Sequence, residues 1–235
     1  MPGPRMTMKA EQRTSPGLYR LLAWLSPNFP IGAFSYSHGL EATVADGAVH
    51  DRASLEAWIA AVVTHGSGRM DADILRGSYR AACAGDRAAL DAANRRGVAF
   101  RATAELALEA GQQGEAFLAT CRAAWPEAFI ADWATDDVCH SAVVGAVAAR
   151  AGIALADALV GYLQALAANL VSAGMRLGII GQTDGQRILS ALEPAVGRAA
   201  AAATTRNPAD FGAATFAVDL ASTMHETQYT RLFRS

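Results

Sequence analysis

The sequence predicts an all-α protein folded as a single-domain multi-helix bundle. Helix-forming residue types, above all alanine, leucine, arginine and glutamate, dominate the 235 residues. Apolar residues recur at spacings of three and four, which places them on one face of a helix. We find no sustained alternation of apolar and polar residues rich in β-branched types, which would indicate strands. The length and the absence of a composition shift favour one domain.

The first sixteen residues precede the helical pattern. They contain three prolines and no apolar run of the kind that a signal peptide requires, so residues 1–16 are predicted to be a disordered leader. The periodic pattern then predicts a single domain over residues 17–223. Its helices are predicted at residues 17–25, 37–46, 53–65, 71–84, 87–121, 136–150, 153–177, 182–203 and 208–224.

The segment SPNFPIGAFSYSHGLE, residues 26–41, interrupts the helices. Its two prolines remove amide donors and Gly32 favours a bend, so its first part is predicted to be a loop. Ser37 is expected to cap the helix that follows, with Glu41 near its positive end. The loop carries more apolar side chains than solubility requires. Either it packs on the core, or it lines a groove or a partner surface.

The most apolar stretch coincides with the predicted helix 153–177 and is long enough to span a membrane. Asp157, Gln164, Asn169 and Arg176 are spread along it, so we reject a membrane span and predict a core helix. Asn169 and Arg176 belong to a polar strip at the edge of its apolar face. That strip is expected to hydrogen-bond a neighbouring helix.

The segment RLGIIGQTDGQRIL, residues 176–189, contains three glycines. It is predicted to end one helix, to turn, and to start the next with Thr183 or Asp184 as N-cap. Two helices joined in this way also occur in DNA-binding proteins. Because the chain has a formal net charge of −2 and this segment has no basic recognition face, nucleic-acid binding is not expected.

The segment from residue 224 to residue 235 combines Tyr229, Leu232 and Phe233 with two arginines. This mixture is typical of binding hot spots, so we predict a tail that docks on a partner. The alternative is that Leu232 and Phe233 pack back onto the core of their own chain.

Several function classes are excluded by residue type. Lys9 is the only lysine and has no glycine-rich turn around it, so the chain should not be a P-loop nucleotidase. The three cysteines form no CxxC pair and are read as reduced thiols of a cytoplasmic protein. His38 and Glu41 lie one helical turn apart, but two ligands fall short of a metal site. Ser35 and His38 are near neighbours without the GxSxG motif of a hydrolase. We therefore predict no catalytic residue and no metal site.

Four blocks, in this order, resemble the F-type urease accessory proteins. The first is the 26–41 segment followed by the helix around Trp58, and the second is HGSGRMDADIL from His65. The third is NLVSAGMRLGIIGQTDGQR from Asn169, and the fourth is ASTMHETQYTRLFRS from Ala221. The resemblance covers residues 18–235. It departs from the family pattern in the segment TAELALEAGQQGEAF, residues 103–117.

The resemblance implies an all-α protein that forms a homodimer. It implies that this dimer joins a D-type (or H-type) accessory protein and a G-type GTPase in a complex that docks on apo-urease. In that complex the GTPase binds GTP and nickel, and nickel is handed onward. The chain would be a cytoplasmic, non-catalytic adaptor with no tightly bound cofactor of its own.

Matching positions within the blocks give the expected surface for partner binding or nickel passage. In the first block this surface comprises Ser26, Pro30, Gly32, Ser35, Tyr36, His38 and Glu41. In the later blocks it comprises Arg176, Gln182, His225, Glu226, Tyr229, Arg231 and Arg234, and the tail adds Leu232 and Phe233.

Two other functions stay open within the same resemblance. Arg176, Arg231 and Arg234 could regulate turnover of the partner GTPase, because a cation inserted in trans stabilises the transferring phosphate. Alternatively, the chain is a structural dimer that only braces the D-type protein.

Overall fold

The computed structural model describes residues 16–235, and these residues contain helices and loops but no strand. The predicted all-α fold class is confirmed. The helices are α1 Pro16–Trp24, α2 Leu40–Ala45, α3 Arg52–Thr64, α4 Ser67–Ala84, α5 Arg87–Ala99, α6 Ala104–Ala124, α7 Ala128–Ala131, α8 His140–Arg150, α9 Leu155–Arg176, α10 Gln182–Thr205 and α11 Phe216–Glu226. Single 3-10 turns lie at Ala33–Ser35 and Pro208–Asp210. The predicted leader lies outside the described residues except for Pro16.

The centre of the bundle is formed by α4, α8 and α9. The most extensive helix pair is α4 with α8, followed by α9 with α10. Gly145 lets α8 approach α4 closely, because an ideal Cβ at this position would lie 2.3 Å from the main-chain oxygen of Leu75. This distance is far below van der Waals contact, so the packing requires glycine.

Helix α9 is long and apolar enough to cross a membrane by length and composition alone. In the fold its apolar face is covered: Leu159, Leu163 and Leu170 are fully buried. Its partners include α10, α4, α3 and α8. The predicted core helix is therefore confirmed.

The predicted helix 87–121 is wrong, because the chain breaks between α5 and α6. Arg101 turns inward at the break: its guanidinium donates to Asp71 at 2.7 Å, and its Nε donates to the main-chain oxygen of Gly97 at 2.9 Å. Thr103 then caps α6 by accepting from the amide of Leu106. A buried ion pair from a distant helix therefore overrides the local helix propensity.

The starts of two other helices, α2 and α10, differ from the predicted positions. The predicted helix 37–46 begins only at Leu40, since His38 and Gly39 have φ of 59° and 77°. Gly39 rather than Ser37 is the N-cap, although the Ser37 hydroxyl accepts from the amide of Glu41 at 3.3 Å. Helix α10 begins after Gly181, so the N-cap predicted at residue 183 or 184 is also wrong.

Three further differences concern α4, α8 and α11. Helix α4 starts at residue 67 instead of 71, and α8 starts at residue 140 instead of 136, after the unpredicted α7. The predicted helix 208–224 is interrupted by an irregular segment that includes Gly212 at φ 144°. Helix α11 therefore begins at Phe216 and runs through Glu226, so residue 224, the expected start of the tail, lies inside a helix.

Candidate functional site

The loop of residues 26–39 and the end of the chain lie against each other in the fold. We define the final segment as residues 227–235. The amide of Ser37 donates to the main-chain oxygen of Ser235 at 2.7 Å, and the amide of Arg234 donates to that of Ser35 at 2.8 Å. The Ser37 hydroxyl donates to the same Ser235 oxygen. These bonds hold the final segment beside the loop that precedes α2.

Glu41 fixes the final segment from the first turn of α2. Its side chain is buried, and its two carboxylate oxygens accept from the amides of Leu232 at 2.6 Å and Phe233 at 2.9 Å. A carboxylate is a strong acceptor for main-chain amides. The expected effect of Glu41 on the helix end is therefore only part of its role, since it also satisfies two donors of a distant segment.

His225 lies fully buried between two carboxylates. Its Nδ1 is 2.7 Å from Glu105 Oε2, and its Nε2 is 3.1 Å from Glu41 Oε2. Arg231 donates to the other oxygen of Glu105 at 2.7 Å. Both imidazole nitrogens face acceptors, which requires a proton on each nitrogen or on one of the carboxylates. We call Glu41, Glu105, His225 and Arg231 the carboxylate cluster.

A third buried carboxylate, Glu109, ties the loop to α6 and α4. Its Oε2 accepts from the Ser235 hydroxyl at 3.0 Å and lies 3.1 Å from His38 Nδ1. The other ring nitrogen of His38 is 2.7 Å from the hydroxyl of Ser67. These contacts hold His38 in its left-handed backbone conformation. The next residue, Gly39, passes so close to α11 that an ideal Cβ would lie 2.9 Å from the amide nitrogen of Ser222.

The polar strip of α9 contacts this site and not a neighbouring helix, which corrects the expectation for it. Arg176 donates to the main-chain oxygen of Phe34, and its guanidinium carbon lies 4.3 Å from the centre of the Phe233 ring. Asn169 donates to the main-chain oxygen of Tyr36 at 3.4 Å. Arg176 thus contacts both the loop and the final segment, with a cation–π interaction to the latter.

Tyr36 and Arg234 meet on α6. The Tyr36 hydroxyl and the Arg234 guanidinium both donate to the side-chain oxygen of Gln112, the latter at 3.0 Å. Burial raises the pKa of Tyr36, and the nearby Arg234 partly opposes this effect. Tyr36 is therefore held as a neutral hydrogen-bond donor.

The loop packs partly on the core and leaves part of its apolar surface exposed, so its role as a partner surface stays a prediction. Phe29 is buried with its ring centroid 4.8 Å from that of Phe117, whereas Phe34 is 67% exposed. Pro30 is exposed, and Gly32 has a φ of 71°. Ser26 donates to the main-chain oxygen of Ala23 at 3.0 Å, which closes the end of α1.

The final segment also has both buried and exposed apolar side chains. Phe233 is only 4% exposed, so the alternative of packing back onto the core holds for this residue. Leu232 is 54% exposed and Tyr229 is fully exposed. Docking on a partner therefore stays a prediction that now concerns Tyr229 and Leu232.

Two residues of the expected surface lie outside these clusters. Gln182 is exposed at the start of α10. Glu226 is exposed, and its carboxylate accepts from the amide of Ala104 at 3.1 Å, which places it at the first turn of α6. Whether any of the expected residues touches a partner stays a prediction.

Sequence reasoning missed the polar face of α6. Glu105, Glu109, Gln112 and Gln113 all contribute to the site or line it, and they follow the spacing of one helical face. They lie in the segment 103–117, which departs from the family pattern. The spacing itself was the available signal.

Asp71 and Asp73, in the DAD sequence of the second block, form ion pairs with Arg101 and Arg206 that are separate from this site. Burial acts to raise the pKa of Asp71, but the Arg101 guanidinium and hydrogen bonds from Arg101 and Ser141 leave it below its usual value. Arg206 Nη1 lies 2.8 Å from Asp73, although without hydrogen-bond geometry. These contacts join α4 to the α5–α6 junction and to the end of α10.

Within residues 16–235, no group of three or more His, Cys, Asp and Glu side chains is placed to hold a metal ion. The carboxylate cluster is instead occupied by contacts within the chain. Its arrangement supports a fixed surface.

The known proteins that this chain resembles all belong to one family. The family model UreF matches residues 49–193. The chain is 48% identical over 221 residues to the urease accessory protein UreF of Granulibacter bethesdensis, covering 93% of this chain and 94% of that protein. It is 48% identical over 231 residues to the UreF of Rhodopseudomonas palustris strain BisB5, covering 97% and 94%. It is 46% identical over 233 residues to that of Azorhizobium caulinodans, covering 98% and 100%.

Proposed function

The chain belongs to the UreF family of urease accessory proteins, and we propose that it is a non-catalytic adaptor in assembling the nickel centre of apo-urease. Its proposed partners are a D-type (H-type) accessory protein and a G-type GTPase, in a cytoplasmic complex that contains a homodimer of this chain. The GTPase binds GTP, and nickel is cargo of the complex.

One observation carries the adaptor proposal: the final segment is held at its backbone while two of its apolar side chains face solvent. Glu41 accepts from the amides of residues 232 and 233, and Tyr229 and Leu232 remain exposed. A partner that binds this surface does not have to order it first, which lowers the entropic cost of association. Tyrosine and arginine are the residue types that dominate binding hot spots.

No observation favours the alternative, regulation of the GTPase by an arginine inserted in trans. Arg176 contacts Phe34 and Phe233, Arg231 pairs with Glu105, and Arg234 donates to Gln112. Each contact would have to break before the side chain could reach a bound nucleotide. We therefore favour the adaptor.

Reconstitution of urease activation tests this function. Purified apo-urease, the D-type and G-type proteins, GTP, nickel and bicarbonate are combined with or without this chain. Urease activity is expected only when the chain is present. Equal activation in its absence contradicts the adaptor role.

A test variant and a control variant in the same assay show whether the final segment is the docking surface. The double change Tyr229→Ser and Leu232→Ser should reduce activation and binding of the partner proteins. The control is Tyr19→Ser, which removes a side chain that is 74% exposed on α1. If both variants activate urease like the unchanged protein, the final segment is not the docking surface.

A further inference from the structure

A cavity of about 650 Å³ lies at the surface beside the junction of α3 and α4. The segment 210–214 forms one wall, and the other described lining residues are His65, Arg69 and Arg206. His65 and most of the segment 210–214 are exposed, so the cavity is open to solvent. It shares no described lining residue with the loop 26–39, the carboxylate cluster or the final segment. It is therefore a surface feature that the proposed docking of the final segment does not use.

Three hydrogen bonds fix the wall of this cavity. Arg69 Nε donates to the main-chain oxygen of Gly212 at 3.0 Å, and its Nη2 donates to that of Asp210 at 2.9 Å. The amide of Ala214 donates to the main-chain oxygen of His65 at 2.8 Å. The guanidinium of Arg69 is thus held in place before a ligand arrives, which lowers the entropic cost of binding. Its Nη1 has no hydrogen-bond partner in the described part of the chain.

The charges around the cavity favour an anion. Both acceptors of Arg69 are uncharged main-chain oxygens, and no carboxylate of the described residues pairs with it. The one acidic residue among the described lining is Asp210, which is exposed. Behind the wall, the buried carboxylate of Asp73 is shared by Arg206 at 2.8 Å and Arg76 at 3.6 Å. Three guanidiniums therefore face two carboxylates, which leaves positive charge uncompensated.

An aromatic surface with a further cation adjoins the cavity. The ring of Phe211, which lines the cavity, meets the ring of Phe100 edge-on at a centroid distance of 5.0 Å. The guanidinium carbon of Arg96 lies 4.4 Å from the centre of the Phe211 ring. Arg96 is exposed and has no carboxylate partner among the described residues, and Phe100 is 54% exposed. Arginine beside exposed aromatic rings is the composition that is enriched in protein interfaces.

These features identify the class of ligand. A guanidinium fork matches the two oxygens of a carboxylate, and Arg69 and Arg96 are both without one. Arg96 lies over the ring of Phe211, so a ligand that contacts both guanidiniums has to extend past this ring. A small anion on one guanidinium would leave the other unused. The formal net charge of −2 argues against a nucleic acid.

We propose that this cavity docks an acidic segment of a partner protein. Its carboxylates pair with Arg69 and Arg96, and an apolar side chain between them packs on Phe211. This second docking surface does not depend on the adaptor function, and its test needs neither urease nor the other accessory proteins.

Two immobilised peptides of equal length test the proposal, with the full chain as analyte in biolayer interferometry. One has three glutamates on each side of a leucine, and the other has glutamines in their place. At about 50 mM salt the glutamate peptide should bind saturably and the glutamine peptide roughly tenfold more weakly or not at all. Raising the salt to about 300 mM should weaken the binding. Inorganic phosphate at about 10 mM, with the ionic strength held constant, should not displace the peptide. Displacement by phosphate would indicate a small-anion site and overturn the proposal.

Substitutions locate the binding on the chain. Arg69→Gln should weaken binding of the glutamate peptide roughly tenfold, the value of one charge-assisted hydrogen bond. Arg96→Gln should weaken it roughly threefold, as expected for an exposed pair, and keeps the test valid if the first variant does not fold, because Arg96 makes no hydrogen bond to the wall. Arg198→Gln is the matched control, since Arg198 is exposed on α10 and does not line the cavity. The proposal is overturned if the glutamine peptide binds equally well, or if Arg198→Gln weakens binding as much as Arg96→Gln does.

Discussion

The Nδ1 atom of His225 lies 2.7 Å from a carboxylate oxygen of Glu105, although the two residues are 120 positions apart. The other ring nitrogen lies 3.1 Å from Glu41. One imidazole therefore joins α2, α6 and α11 in the interior of the protein. The surface that we propose for partner binding rests on this junction.

Replacing Glu41 by Gln should destabilise the fold. The amide side chain keeps one acceptor oxygen, so one of the two main-chain donors at residues 232 and 233 loses its partner. A buried unsatisfied group costs about 1–3 kcal/mol. Urea unfolding followed by circular dichroism measures the loss. The control Glu56→Gln breaks an exposed pair with Arg52 and should cost at most about 0.5 kcal/mol. Equal effects of the two changes would contradict the buried role of Glu41.

Truncation after Gln228 should cost stability as well as partner binding. It removes Phe233 from the core, and loss of a buried phenylalanine side chain costs about 3–5 kcal/mol. A tail that only docks on a partner, as the sequence predicts, would leave the helical core unchanged when it is deleted. The double change Tyr229→Ser and Leu232→Ser should leave the melting temperature nearly unchanged, since both side chains are exposed. A truncated protein that melts like the full chain would show that the contacts of Glu41 and Phe233 do not stabilise it.

Gly145→Ala should be among the most damaging small substitutions in the chain. An added Cβ would lie 2.3 Å from the main-chain oxygen of Leu75, so α4 and α8 must move apart. Overpacking of this kind costs about 1–3 kcal/mol or more. Gly197→Ala is the matched control in α10, where an ideal Cβ meets no described atom outside its own helix within 4 Å. There the change should stabilise by about 0.4–1 kcal/mol. Thermal unfolding of both variants tests the opposite signs.

Stability should fall as the pH is lowered from about 6.5 to about 4 because of His140. Burial depresses the pKa of its ring in the folded state, against the favourable charges of Asp71 and Glu109, and Arg101 lowers it further. As the pH falls through this window, the imidazole is protonated in the unfolded chain but stays neutral in the folded chain. The free energy of unfolding therefore decreases by about 3 kcal/mol in total, and the decrease is complete below pH 4. In the His140→Phe variant the free energy of unfolding should depend less steeply on pH over this range. The decrease in slope should correspond to at most one proton taken up on unfolding. An unchanged slope would contradict a neutral buried ring.

Local patterns predicted the elements whose burial follows a simple periodicity. Helix α9 is the clearest case, because Leu159, Leu163 and Leu170 share one face and all are buried. The break between α5 and α6 could not be predicted locally, since it depends on the pair of Arg101 with Asp71 on another helix.

The candidate site was predicted in part. Resemblance pointed to both the loop and the final segment, but nothing in either indicated that they contact each other. The sequence did not predict their common support on α6, because polar residues at helical spacing most often form a solvated face. Here Glu105, Glu109 and Gln113 are all buried.

The two amides that Glu41 binds belong to residues 191 and 192 positions later in the chain. During synthesis at about 5–20 residues per second, Glu41 leaves the ribosome roughly ten or more seconds before these partners exist. Throughout that interval its carboxylate must stay hydrated, so the α2 region cannot close into its final form. Synthesis of residues 232 and 233 is therefore the event that permits this folding step, and translation products that lack them would expose this region to chaperones and proteases.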